Sequence, residues 1–357
     1  MRILICSPSI LPSISGNAIT VERWKRGLAG RGNAVETISS QSCTPDDFAT
    51  FLRQFCPDII HVHHAFRAGT ILLNPAIRAL RANLAVVASP GGTDINVDFG
   101  RPDRRDAVAE VFGMAAAIIV QSEETAARLR RQMPDLSEKL TLVPKASCWF
   151  GDDTCDLRRI AGCSDRSVLF FLPAGIRPVK GNLECLLAME KVHAIRPDLR
   201  FVSAGPQIES EYGNRFAREV TRLASFALWI DSIPLAAMRS AYEASDVVLN
   251  SSYSEGLSNS LLEALASGCP ILASDIPGNW WPVRGISGDE PAGLLYALSD
   301  TGDFVANAVR LIDDENLRLR LSHASRLRAS RLPSPEDEAD GLIGAYEKAF
   351  ARGCGKF

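Results

Sequence analysis

The sequence predicts an α/β protein built from two successive doubly wound parallel sheets, and two observations carry that prediction. Short apolar runs recur along the chain with longer amphipathic stretches between them. They are hydrophobic throughout rather than alternating, which suits strands buried on both faces of a parallel sheet. The rhythm stops between Pro144 and Arg166 and then starts again. A length of 357 residues fits two domains of ordinary size better than one.

In the first half the strands are read at Ile3–Cys6, Val35–Ile38, Asp58–Val62, Ala85–Ala88, Ala117–Val120 and Thr141–Val143. Helical patterns such as Thr20–Ala29 and Glu123–Arg131 lie between them. The connection from Pro144 to Arg166 holds Gly151, Gly162, paired aspartates and scattered cysteines, the composition of a linker. Strands resume at Val168–Leu172, Phe201–Ala204, Phe226–Ile230, Val247–Asn250 and Pro270–Ala273. Strands alternating with helices imply right-handed βαβ units in an open sheet. The domains are read as 1–160 and 165–335. Residues 337–357 form a terminal helix with no strand after it, available to pack back on the first domain. Ligands of such sheets bind beyond the carboxyl ends of the strands, and two such domains facing each other would enclose one deep cleft.

Composition narrows the function. The chain is 46% hydrophobic and 23% charged with net charge -3, a globular balance with no electrostatic reason to bind nucleic acid. The basic clusters Arg101, Arg104, Arg105 and Arg128, Arg130, Arg131 read as solvated helix faces, with contact to anionic lipid as the sharper alternative. The nine cysteines are scattered and form no C-x-x-C pair. Cys148, Cys155 and Cys163 are spaced too widely for a zinc knuckle. A reduced, cytoplasmic protein is expected. No signal-peptide pattern opens the sequence, and no apolar run approaches the ~18 residues of a membrane span.

One segment stands out. After Val247–Asn250, Glu255 and Gly256 lie in a loop, Ser258 is a plausible N-cap, and a helix runs to about Ser267. Gly268 and Pro270 end it. A helix start just past a strand offers backbone N–H groups and a positive dipole end, an anion site suited to a diphosphate. Glu255 before that site and Glu263 inside the helix can accept hydrogen bonds from hydroxyl groups, one set from a sugar and one from a ribose.

The pattern E-G-x6-E-A, followed by a small residue, Gly, and Pro, resembles the signature of retaining glycosyltransferase family 4. Its fold, GT-B, sets two Rossmann-like domains facing across a cleft. The resemblance implies that Glu255 contacts the transferred sugar and Glu263 the ribose. It implies that backbone N–H groups around Gly256, Leu257, Ser258 and Asn259 meet the phosphates or the sugar. Pro173 to Gly181 is similar to a family loop whose Arg and Lys reach the diphosphate, here Arg177 and Lys180. Fixed cations at that place would stabilise charge on the leaving group. In the first loop, Ser7 to Asn17, a family glycine lets the backbone approach the diphosphate. Gly16 and Asn17 are the candidates, and Asn17 departs from the usual Gly-Gly pair.

Asn17 to Trp24, Gly91 to Asn96 and Ile276 to Asn279 resemble a smaller branch, the glycosyltransferase-1-domain-containing proteins. The selenosugar synthase group shares part of this pattern. Many relatives carry His-Gly in the place of Gly91-Gly92. Thr93 and Asp94 follow here, with Asp94 a candidate for a hydrogen bond to sugar or acceptor. The alternative is a turn aspartate satisfying its own backbone. His63 and His64 end a strand at which the family often places a histidine facing the cleft, and no metal partner lies near them in sequence. Trp280 and Trp281 could stack on a flat ligand or fill the core. Ser203 to Pro206 and Ile230 to Ser232 close strands where relatives hold the nucleobase, although Asp231 stands where a glycine is usual.

The expected function is a retaining transferase moving sugar from a nucleotide-diphosphate donor, a UDP-sugar, to a soluble small-molecule acceptor. Glu255, Arg177, Lys180 and Asp94 form the catalytic set. No metal or other cofactor is expected, since no D-x-D triplet occurs. An epimerase or phosphorylase on the same fold, and a nucleotide-sugar-binding protein without catalysis, are the alternatives. A dinucleotide oxidoreductase lacks support because no G-x-G-x-x-G follows the first strand. The acceptor's identity and the oligomeric state stay open.

Overall fold

A computed structural model describes residues 1–354. The chain divides into two compact units. One comprises Met1–Ala146 with the C-terminal segment from Pro333, the other Ser147–Leu332.

The first unit holds β1 (Arg2–Ser7), β2 (Ala34–Ser39), β3 (Ile59–His63), β4 (Ala85–Ser89), β5 (Ala117–Val120) and β6 (Leu140–Leu142). They form a parallel sheet in the order β2-β1-β3-β4-β5-β6. The order reverses between β1 and β3, which makes that pair the topological switch point where ligands of such sheets bind. Side chains alternate across the sheet. Leu4, Cys6, Ile60 and Val62 pack into one buried core, while Ile3, Ile5, Ile59 and Val87 pack into the other with Trp24 and Tyr346.

The helix Pro335–Cys354 completes that second core with Leu342, Ala345, Tyr346 and Ala349. An ion pair fixes it. Arg23 and Glu338, 3% and 1% exposed, meet at 2.5 Å. Trp24 Nε1 and Gln121 Nε2 also donate to Glu338 Oε1, at 2.9 and 2.8 Å. A buried carboxylate is tolerated only when paired and hydrogen-bonded in this way.

The second unit holds β7 (Val168–Pro173), β8 (Leu199–Ala204), β9 (Ala227–Ile230), β10 (Val247–Asn250), β11 (Ile271–Ser274) and β12 (Gly293–Tyr296). The parallel order is β12-β11-β10-β7-β8-β9, with Val247 opposite Phe170 and Val248 opposite Phe171. Its switch point lies between β7 and β10. Phe170, Leu172 and Phe201 face the core under the helix Asn182–Ile195, while Leu169, Phe171 and Val202 face the helix Asn259–Ala266.

Two expectations are corrected. The first domain ends at Ala146, not 160, because the intervening stretch pairs with the second unit. Asp153 N donates to Ala236 O at 2.9 Å, Cys155 N donates to Ser240 Oγ at 2.7 Å, and Leu157 is buried in that unit's core. The strand β12 has no counterpart in the sequence reading. Its four residues sit at a sheet edge with only partial burial at Leu294 and Leu295, so the apolar run is too short to stand out.

Candidate active site

The loop after β7 and the loop after β10 meet at the switch point of the second sheet, the first carrying Arg177 and Lys180 and the second Glu255. Lys180 ends a short 3-10 turn, Pro178–Lys180. Gly181 follows with φ +61°, and a Cβ there would collide with Ser251 O. Glycine therefore lets the two loops touch. Ser251 Oγ donates to Lys180 O at 2.7 Å and Tyr253 N to Val179 O at 2.9 Å, which clamps the loops together.

Across this clamp, Lys180 Nζ lies 2.5 Å from Glu255 Oε1, with side chains 20% and 11% exposed. Ser252 Oγ donates to the same oxygen at 2.6 Å. Burial pushes the Glu255 carboxyl up. The Lys180 charge and hydrogen bond, the Ser252 hydroxyl and the Arg177 charge outweigh that and hold it below the usual range. The site thus keeps an ionised carboxylate beside a fixed cation.

A polar cluster supports Glu255 from behind. Asn250, at the end of β10, accepts from Ser252 N at 3.1 Å and donates to Ser258 Oγ at 3.2 Å. Asn279 is fully buried and donates to Ser274 O at 3.0 Å, and Ser274 Oγ donates to Ser252 O at 2.6 Å. A Cβ on Gly278 would stand 2.6 Å from Glu255 O and closer still to Gly256 O. The helix carrying Gly278 therefore presses directly on the Glu255–Gly256 backbone. Leu257 packs against the core of the unit. Ser258 occupies the N-cap position of the helix Asn259–Ala266, but its hydroxyl makes no capping bond. It is shared between Asn250 and Ser260 instead.

Glu263 lies on that helix, where Tyr242 donates its hydroxyl to Oε2 at 2.7 Å. Tyr242 is fully buried. Burial and the Glu263 charge push its phenol pKa well up, so it stays a donor. Arg177 N donates to Asn182 Oδ1 at 3.2 Å, which orients the start of the Lys180 loop. Trp280 is 42% exposed, its indole N–H donating to Asp275 Oδ1 at 2.6 Å. Trp281 packs at the core edge.

In the first unit, Gly16 and Asn17 are not loop residues but open the helix Gly16–Gly30. Ser15 caps it by accepting from Ala18 N at 3.1 Å, and its Oγ lies 2.5 Å from Ser9 Oγ. His63 and His64 sit at the carboxyl end of β3, on the switch point. His63 Nδ1 lies 2.9 Å from Ser89 Oγ, and His64 Nε2 lies 2.8 Å from Thr93 Oγ1. His64 has φ +83°, an outlier for a bulky residue. A Cβ on Gly91 would stand 2.8 Å from the His64 ring. The imidazole of His64 thus fills the space that a side chain at 91 would take.

Asp94 is corrected. It is fully buried, and its Oδ2 accepts from Ala65 N at 2.7 Å and Gly91 N at 3.1 Å. Its Oδ1 accepts from Gly92 N at 3.0 Å and Ile95 N at 3.1 Å. Four backbone donors occupy the carboxylate, so it builds the Gly91–Gly92 turn rather than reaching a ligand. Four arginines of the basic clusters are partnered within the chain: Arg101 with Asp103, Arg104 with Asp98, Arg128 with Asn96 and Arg130 with Glu123.

Sequence reasoning missed Asn250, Ser252, Tyr242 and Ser89. A polar residue closing an apolar strand was the available signal for Asn250 and Ser89. Tyr242 had none.

With this geometry in place, the relatives become informative. Residues 166–314 match the model of the family Glycosyl transferases group 1. The match lies within the second unit. It is 27% identical to Glycosyltransferase 1 domain-containing protein 1 of Xenopus tropicalis over 335 residues, 91% of this chain and 92% of that protein. A D-inositol 3-phosphate glycosyltransferase of Stackebrandtia nassauensis is 27% identical over 238 residues, 63% of this chain and 51% of that enzyme. The fold is that of sucrose-phosphate synthase from Thermosynechococcus elongatus, with TM-score 0.80, 18% identity and coverage of 98% and 100% of the two chains. The Anabaena protein HepE, solved in complex with UDP-glucose, matches with TM-score 0.74 at 15% identity, over 96% and 98% of the chains. Both units are thus α/β sheets of the GT-B kind. No helix among the described residues is long and apolar enough to cross a membrane.

Proposed function

We propose that the chain is a retaining glycosyltransferase of the family 4 type, which moves a sugar from a UDP-sugar to a small-molecule acceptor without a metal. The observation that carries this reading is the Lys180–Glu255 pair, 2.5 Å across the switch point of the second sheet. A diphosphate lodged between the Lys180 loop and the start of the helix Asn259–Ala266 would meet a fixed cation and a helix N-terminus together. Arg177 adds a second charge to the same field. Glu255 supplies an ionised acceptor for hydroxyl groups of the sugar, and Glu263, steadied by Tyr242, supplies one for the ribose. As the bond to the anomeric carbon breaks, charge grows on the diphosphate and the two cations stabilise it. The names of the relatives and the UDP-glucose bound to HepE support a nucleotide-sugar donor.

The test is a thermal-shift screen of UDP-, GDP- and ADP-glucose with EDTA present, followed by mass spectrometry of acceptor mixtures with the donor that binds. UDP-glucose should raise Tm and produce a glycosylated product. Binding with no transfer to any acceptor would favour a binding protein, and sugar inversion without acceptor an epimerase. Absence of any shift would remove the reading.

A further inference from the structure

The carboxyl end of the first sheet carries a hydrogen-bond chain whose direction is set at its buried end. Tyr346, on the helix Pro335–Cys354, is fully buried, and its hydroxyl has one hydrogen-bond partner among the described residues, Nδ1 of His61 at 2.8 Å. A phenol sealed from solvent must donate its proton to the acceptor it has. His61 Nδ1 is therefore an acceptor. Burial keeps this imidazole neutral, with its pKa pushed down to about 3, so its proton sits on Nε2. That N–H points at Ser89 Oγ, 2.9 Å away. Ser89, having accepted, turns its single proton towards His63 Nδ1, also at 2.9 Å. His63, held neutral by burial and by neighbouring positive charge, then carries its own proton on Nε2. His63 is 3% exposed, and its Nε2 has no hydrogen-bond partner among the described residues. Trp24 holds both imidazoles, stacked on His61 at 5.0 Å and edge-on to His63 at 4.9 Å.

We propose that His63 is a fixed hydrogen-bond donor at the ligand-binding end of the first sheet, its Nε2–H tautomer set by Tyr346 through His61 and Ser89. Tyr346, His61 and Ser89 are positioning residues. An adjacent chain runs the same way. His64 Nδ1 accepts from Arg67 N at 3.1 Å, so its Nε2–H donates to Thr93 Oγ1 at 2.8 Å and the Thr93 hydroxyl proton points onward. Both chains end in donors. The group they fit is an oxygen with lone pairs to offer, a sugar hydroxyl or an anionic oxygen. A proton already on Nε2 bars His63 from acting as the base that deprotonates an acceptor hydroxyl. The nature of the ligand rests on the transferase reading; the tautomer does not.

Long-range 1H–15N correlation NMR of the full-length, 15N-labelled protein decides this. The chain has five histidines, and His63→Gln assigns the resonance. A single Nε2–H tautomer that stays neutral through pH 6 is expected. An Nδ1–H tautomer, or an imidazolium at neutral pH, would overturn the proposal. Tyr346→Phe and Ser89→Ala should each replace the single tautomer with a mixture, and Ser89→Thr, which keeps the hydroxyl, should restore it. If Tyr346→Phe fails to fold, the Ser89 pair carries the decision. A His63 signal unchanged by Ser89→Ala overturns the chain. UDP-glucose added in parallel and followed by thermal shift keeps the two readings apart: no shift removes the transferase reading and leaves the tautomer result standing.

Discussion

Lys180 and Glu255 are 75 residues apart in sequence and 2.5 Å apart in space. Each lies in the loop that follows one of the two strands flanking the switch point of the second sheet. Replacing either should leave the other partly buried and without its main partner. Glu255→Gln should lower turnover about a hundredfold, the usual scale for one preorganised group, and change nucleotide affinity less. Lys180→Met should do similar damage. The double variant should fall short of the sum, with a coupling of about 1–3 kcal/mol. Steady-state kinetics with titration calorimetry measures this, and strictly additive losses would show that the pair does not act as a unit.

Tyr242 reaches any ligand only through Glu263. Tyr242→Phe removes the 2.7 Å bond and should weaken UDP binding about fivefold, the equivalent of ~1 kcal/mol for one hydrogen bond. Glu263→Ala should weaken it further. Calorimetric Kd values that match wild type in both variants would exclude Glu263 from the nucleotide site.

The contact between Gly278 and the Glu255–Gly256 backbone predicts a backbone effect. A Cβ at 278 cannot fit without moving that loop, so Gly278→Ala should abolish the thermal response to nucleotide sugar. Gly30→Ala is the control, since a Cβ there meets nothing within 4 Å. Equal behaviour of the two variants would contradict the packing described.

The buried histidines make stability depend on pH. The folded pKa of His61 is about 3, and His63 also lies well below 6.5. Below pH 6.5 the unfolded chain binds protons that the folded one refuses. The contribution is present above 6.5 and is lost as pH falls towards the folded values. Each histidine should remove about 1.4 kcal/mol per pH unit across that window. Urea denaturation at pH 7, 6 and 5 reads this directly. A midpoint constant over the range would mean that the imidazoles ionise freely in the fold.

Glu338 ties the terminal helix to Arg23, Trp24 and Gln121. Glu338→Ala leaves a buried guanidinium uncompensated and should cost about 3–5 kcal/mol. The loss should appear in the unfolding of the first unit by hydrogen exchange. A change below 1 kcal/mol (roughly the scale of a surface pair) would show that the pair is not sealed from water.

Most strands were legible because a parallel strand buried on both faces is a continuous apolar run, and that signal is local. Phe170 and Val248 announce themselves this way, and β12 fails to because an edge strand buries less. The Glu255–Glu263 segment was legible for a related reason: a strand end, a loop and a helix start are contiguous in sequence, so the two glutamates could be placed on loop and helix. Asp94 was not. Its residue type suits a ligand as well as a turn, and only the four backbone N–H groups gathered around it decide for the turn.

The sequence by itself determined two doubly wound units, the helix start that follows β10 and the places of the two glutamates. Tertiary structure alone decided which charge Glu255 meets, what holds Glu263, and that a tyrosine at 346 fixes the proton on a histidine at 63. The reason is physical. Helix and strand signals arise between residues a few positions apart, whereas a buried ion pair or a hydrogen-bond chain depends on which strand ends the topology brings side by side.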